Sequence, residues 1–135
     1  MWQREFSVLT SASAAAIWKL FRDVEGWTAW NAGIEDILID GPFAVGTEFE
    51  MKPPDQPPLT SRLVKVQENV GFEDETVVGE VRVLVDHRIE QLDATQVRIT
   101  YVATVTGPGA AEVGAAVTED FPAVLQALAS LAERT

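Results

Sequence analysis

The sequence predicts an α+β fold: a curved antiparallel sheet of about seven strands wrapped around a long C-terminal helix, with one or two short helices after the first strand. Three observations carry this. Apolar and polar residues alternate in successive segments from Ile34 to Val105, and the short connections between them imply an antiparallel meander. One early helical stretch separates that meander from a first strand. Helical spacing then returns only after Gly107-Pro108-Gly109 and runs to the end of the chain. Strands and helices are thus segregated, as in α+β domains. A long helix lying on a strongly curved sheet is the simplest way to bury both apolar faces.

The elements follow in order. Residues 3–10 form the first strand, with Phe6 and Val8 on one face. Residues 11–26 read as a helix capped by Ser11 or Ser13, favoured by its alanines and ended by Gly26. Its apolar stripe is Ala14, Ile17, Trp18, Phe21 and Val24. Residues 27–32 fit a further short helical turn. Strands are expected over 34–40 and 46–52, followed by the loop 53–58, whose prolines exclude it from a sheet interior. Four more strands cover 59–69, 71–78, 80–91 and 95–105. The last helix spans 112–134 and should kink at Pro122.

Two strands alternate cleanly enough to fix their faces. Val81, Val83, Val85, His87 and Ile89 share one side, and Val97, Ile99, Tyr101, Ala103 and Val105 share one side of the next strand. Odd residues must then face odd residues across the hairpin, which requires a three-residue loop, either 93–95 or 92–94. The first register sets His87 opposite Tyr101; the second sets it opposite Ile99. In both, the only histidine and the only tyrosine of the chain meet in one apolar interior. Arg88 faces outward. Arg62 is not assigned, because Arg62-Leu63-Val64-Lys65-Val66 does not alternate.

Composition excludes several functions. A length of 135 residues fits one domain over 1–135, and 47% apolar with 23% charged residues fits a packed core. With no cysteine and one histidine, disulfides and ordinary zinc sites are out of reach, and no metal or cofactor is expected. A net charge of −11 disfavours nucleic acid and anionic membrane surfaces. No apolar run is long enough to span a bilayer, and the N-terminus lacks the order of a signal peptide, so a cytoplasmic monomer or homodimer is expected. The segment GPGAAEVGA lacks the lysine of a phosphate loop, and no G-x-S-x-G elbow occurs.

The chain resembles the START / polyketide cyclase / birch-pollen-allergen (SRPBCC) superfamily over nearly its whole length. The resemblance rests on the opening strand with its capped helix, DVEGWTAWN as a W-x-x-W segment, the strand pair HRIEQLDATQVRITYVATVTGP, and the closing DFPAVLQALA. Within the superfamily it is most similar to the small bacterial polyketide cyclase/dehydrase-like proteins. The resemblance implies the helix-grip fold and an internal cavity for a polyketide, lipid or steroid-like molecule. It implies no universal catalytic set, since enzymes, carriers and co-chaperones share the fold.

Site residues are therefore argued from this chain. His87 is a candidate base and Tyr101 a candidate donor to a carbonyl or enolate oxygen, as a cyclase/dehydratase-like lyase or isomerase needs. The alternative is a His87–Tyr101 hydrogen bond that merely satisfies two buried groups. The cavity wall is expected from Trp27, Trp30, Phe72, Asp74, Val85, Ile99, Val117, Phe121 and Val124. Trp27 and Trp30 form either a lid over the mouth or a plug beneath the first helix. Asp74 points inward with a raised pKa, or belongs to a solvated strand end. Asp120 is expected on the helix surface. Two other functions fit the fold: a carrier or sensor without a reaction, and a protein-interaction module with a filled cavity that uses an exposed Trp27 or the proline loop.

Overall fold

A computed structural model describes residues 1–135. The strands are β1 (Trp2–Thr10), β2 (Asp36–Ile39), β3 (Glu48–Lys52), β4 (Leu59–Gln67), β5 (Gly71–Val78), β6 (Val81–Gln91) and β7 (Val97–Thr106). All seven join in one antiparallel sheet of order β1-β7-β6-β5-β4-β3-β2. The first helix, α1, spans Ala14–Arg22, and a 3-10 segment follows over Val24–Ala29. The C-terminal helical segment begins with α2 (Ala110–Thr118) and continues as α3 (Phe121–Glu133). No helix is long and apolar enough to cross a membrane.

Local chemistry explains the boundaries. Ser13 caps α1, its Oγ accepting from the Ala16 N–H at 3.1 Å. The helix closes at Asp23, earlier than Gly26. Gly26 sits instead inside the 3-10 segment, its N–H donating to the Asp23 carbonyl. A Cβ there would meet the Asp23 carboxylate, which would have to turn aside. The C-terminal helix breaks at Glu119–Asp120 rather than kinking around an internal proline. Pro122 opens α3, where its missing N–H costs nothing.

The hairpin takes the first of the two registers: His87 faces Tyr101, and Gln91 faces Val97. The unassigned run at Arg62 is a β-bulge, with pairing that jumps from Leu63↔Asp74 to Lys65↔Glu73 and leaves Val64 unpaired. Arg62 therefore faces outward, where Glu75 takes both Arg62 and Arg82 as partners. Gly71 lies where β5 meets β6: a Cβ there would come within 2.2 Å of the His87 carbonyl oxygen.

The densest packing lies between α1, α3 and the β1/β7/β6 part of the sheet. Ile17, Phe21, Ile99, Leu125 and Leu128 are fully or almost fully buried there, and Leu63 on β4 and Phe72 on β5 are buried further along the sheet. Each such side chain contributes about 1.5–3 kcal/mol of transfer free energy. The end of α3 is tied to β1 by the Thr10 hydroxyl, which donates to Glu133 Oε2 at 2.6 Å. At the other end of the domain, α2 rests on β1 and β7 through Gly114. A Cβ at that position would fall 2.3 Å from the Trp2 ring. The dense core stops at that end and leaves space.

Candidate functional site

That space is a cavity of about 460 Å³. The inner faces of β4, β5, β6 and β7 form its floor. Trp27, Trp30 and the turn Asn31–Ile34 form one wall, and α2 with the start of α3 forms the other. The proline loop contributes Pro53, Pro54 and Gln56. Each wall has a local cause. The Asn31 side chain accepts from the Gly33 N–H at 2.9 Å and fixes that turn. The break between α2 and α3 brings Glu119, Asp120 and Phe121 to the cavity.

Aromatic packing holds the floor rigid. Phe72 stacks on His87 with ring centroids 3.9 Å apart, and His87 meets Tyr101 edge-on at 4.5 Å. Phe121 packs edge-on against Tyr101 at 5.4 Å. The indole of Trp27 stacks on Phe72 at 5.6 Å and donates its N–H to the Phe21 carbonyl at 2.9 Å.

Three polar groups open into this apolar space. His87 Nδ1 lies 3.2 Å from the Phe72 carbonyl, which assigns the ring proton to Nδ1 and leaves Nε2 as an acceptor. No polar side-chain atom is sealed inside the protein without a partner. His87 Nε2, the Tyr101 hydroxyl and the Asp74 carboxyl have no protein partner, so each must have accessible surface, and all three residues line the cavity. Ser61 and Thr76, also on the floor, satisfy each other through their hydroxyls at 2.5 Å.

Burial sets the ionisation of the three groups apart. Asp74 is half-buried and lines the cavity. Desolvation, with the neighbouring Glu73 charge, raises its pKa from 3.8 to about 7. Desolvation lowers His87 to about 4, against the opposing effect of the Phe72 carbonyl and Asp86. It pushes Tyr101 up, helped by the Asp74 charge, so the phenol stays protonated. At neutral pH, His87 is uncharged and Asp74 is poised between its two forms.

Of the expected site residues, Trp27, Trp30, Phe72, Asp74, Val85, His87, Tyr101, Val117, Phe121 and Val124 line the cavity. Ile99 does not. It is completely buried between Val8 and Ile89 in the sheet, toward the α3 end where the core is solid. Trp27 and Trp30 are 4% and 5% exposed and are packed into the wall in this structure. A buried Trp27 also cannot serve as an outer partner contact, and the cavity is not filled by side chains. No His87–Tyr101 hydrogen bond forms; His87 gives its Nδ1–H to the Phe72 carbonyl and meets Tyr101 edge-on through the rings. Asp120 is exposed as expected, yet it stands at the cavity. Beyond the expected site residues, the cavity takes in Ser61, Thr76, Val83, Val113, Ala116 and Glu119, the turn at 31–34, and parts of β3 and the proline loop. Continuing the alternation of Asp74 and Val85 by two residues reaches Thr76 and Val83. No such rule reaches residues delivered by the α2–α3 break. No three or more metal-ligating side chains come together.

The family model described as "Polyketide cyclase / dehydrase and lipid transport" matches residues 1–133. The chain belongs to that family. No curated protein matches it. Among solved structures, a START superfamily protein from Mycobacterium smegmatis superposes with a TM-score of 0.79 at 16% identity, covering 98% of this chain and 97% of that one. The ZhuI aromatase/cyclase from Streptomyces sp. R1128 gives 0.78 at 19% identity, covering 98% and 94%. The di-domain aromatase/cyclase BexL gives 0.77 at 16% identity; the match covers 96% of this chain but 46% of BexL. At these identities the likeness shows a shared fold. It is the helix-grip, START-like architecture, and the family's folds are of the polyketide cyclase/dehydrase ligand-binding type.

Proposed function

We propose that the protein binds an amphipathic, polyketide-, lipid- or steroid-like small molecule in this cavity and acts on it by cyclase/dehydratase-type acid–base chemistry. One observation carries the reading: Asp74, His87 and Tyr101 present unpartnered polar atoms to an aromatic cavity large enough for a ligand. Groups whose environments push their pKa values apart divide the roles of acid and base. Asp74, near 7, transfers the proton. Tyr101 stays protonated and donates to the oxygen that gains charge. His87, with a pKa near 4, is a weak base at neutral pH and serves as a neutral acceptor that orients a ligand hydroxyl through Nε2.

The steps balance. The Asp74 carboxylate removes a proton from carbon next to a carbonyl. Tyr101 stabilises the enolate oxygen while that carbon attacks a second carbonyl of the same chain. Asp74 returns that proton to the alkoxide so formed, giving a hydroxyl. The regenerated carboxylate then takes the remaining proton of the same carbon and delivers it to the hydroxyl, which leaves as water as the C=C bond forms.

Native mass spectrometry of the purified protein, with extraction of bound molecules, tests the binding half. We expect an adduct in this class, or a thermal shift with a panel of such compounds. An empty protein that no panel member stabilises would end the reading. Turnover is tested with Tyr101→Phe, which should bind the ligand found and lose the reaction.

A further inference from the structure

The ionisable groups lining the cavity are unbalanced. Asp74, Glu119 and Asp120 are there, His87 is neutral, and no lysine or arginine contributes to the wall. The nearest cation along the chain, Lys52, does not line the cavity; its ammonium is tied to Glu35 at 3.3 Å and donates to the Pro53 carbonyl at 3.4 Å. Glu119 and Asp120 occupy the α2–α3 break, at the rim across from the Asn31–Gly33 turn. A Cβ on Gly33 would lie 3.3 Å from Asp120 Oδ2, so that carboxylate stands against the Asn31–Gly33 turn, and both line the cavity. Neither rim carboxylate has an ion-pair partner: the five ion pairs of the protein join Lys52–Glu35, Arg62–Glu75, Arg82–Glu75, Arg88–Asp86 and Arg98–Glu90. Asp120 does not cap α3 through its side chain either. Below the rim, the hydroxyl of Tyr101, itself 3% exposed, points unpartnered into the same space.

We propose that the ligand is an amphipathic cation, an aromatic or alicyclic amine, whose body fills the aromatic cavity while its ammonium group stands at Glu119 and Asp120. This rests on the cavity-binding reading above and adds the charge of the ligand to it. An amine at the rim meets two free carboxylates and no competing cation. A carboxylate or phosphate ester of the same shape meets repulsion at the entrance and from ionised Asp74 below, and nothing pairs with it. Aromatic faces beneath the rim favour a cation further. The neutral end of the ligand remains inside, where Asp74 and Tyr101 lie.

Three probes of one shape test this: 1-pyrenemethylamine, 1-pyrenemethanol and 1-pyrenecarboxylate, titrated at low salt, with energy transfer from the tryptophans as readout. We expect the amine to bind about tenfold or more tighter than the carboxylate, with the alcohol between, since exposed charge pairs contribute roughly 0.2–1 kcal/mol each. The gap should shrink in high salt. In Glu119→Gln/Asp120→Asn the amine should fall to the affinity of the alcohol, which itself should not change. The control Glu48→Gln/Glu50→Gln, on exposed positions of β3 away from the cavity, should leave the amine preference intact. A carboxylate that binds as tightly as the amine overturns the proposal. So does an amine preference that survives the rim variant, or one that the control removes equally. If the alcohol binds and the amine gains nothing over it, only the cation falls. If none of the three binds, the cavity reading falls and this proposal with it.

Discussion

Replacing Asp74 by asparagine should stabilise the protein, and by an amount that depends on pH. The carboxyl makes no hydrogen bond or ion pair within the protein, so the substitution breaks no contact. It removes a group whose pKa stands at about 7 when folded and at the ordinary 3.8 when unfolded. Between those values the folded state holds a proton that the unfolded state has released. Wild-type stability from this group is therefore fully present below pH 3.8 and is lost as pH rises through 7. Each pH unit is worth about 1.4 kcal/mol, so the three units amount to about 4 kcal/mol. The amide that replaces the carboxyl titrates nowhere. The variant should match the wild type near pH 4 and exceed it by up to about 4 kcal/mol above pH 7. Urea unfolding at pH 4, 5.5, 7 and 8, followed by tryptophan fluorescence, measures that difference directly. The difference must be taken, because His87 produces an opposite slope: its folded pKa of about 4 lies below the unfolded 6.5. From pH 4 to 6.5 the two slopes nearly cancel in the wild type. A gain independent of pH, or none at all, would refute the claim that Asp74 is desolvated in the cavity.

Three further outcomes follow from the same geometry. His87→Phe keeps the stack on Phe72 and removes the titration; the wild type should lose about 3 kcal/mol relative to it as pH falls from 6.5 to 4, read by the same urea series. Gly114→Ala would gain about 1 kcal/mol from helix propensity alone. Its methyl group instead lands on Trp2, so calorimetry should show a net loss of about 1–3 kcal/mol, recovered when Trp2→Leu is added; a simple gain would mean that α2 is not seated on that ring. Trp27→Phe leaves the Phe21 carbonyl without its indole donor and should cost about 1–3 kcal/mol in the same calorimetry. An unchanged Tm would show the wall to be looser than described.

Much of this architecture was legible because period-two alternation reads directly as faces. Parity alone put His87 and Tyr101 in one interior and left two registers, of which the structure takes the one that sets them face to face. The same rule failed at Leu63-Val64-Lys65, where a bulge inserts one residue and no local signal marks it. It gave Ile99 the correct face and the wrong surroundings, because alternation states which side is inner but not where along a strand the core ends and the cavity starts. The C-terminal break was misplaced for a related reason: Pro122 is compatible with a kink or with a fresh start, and the sequence around it does not choose between them. Glu119 and Asp120 depend on that choice. The W-x-x-W segment read equally well as wall or lid until the indole of Trp27 was seen to donate to Phe21.

The run Phe72-Glu73-Asp74-Glu75-Thr76 places near-identical side chains on opposite sides of one sheet and gives them opposite fates. Glu75 is clasped by two guanidinium groups, whereas Asp74 is left alone in the dark of the cavity. A slip of one position would exchange them, handing the tethered acid to the ligand and the free one to water. The strand is guarded against that slip at Gly71, where the backbone of β5 comes so close to the His87 carbonyl that no side chain fits. A residue with nothing to offer chemically thereby helps to hold the register that turns Asp74, and not Glu75, to the cavity. Variation at position 71 should be read as a change of reagent as much as a loss of stability.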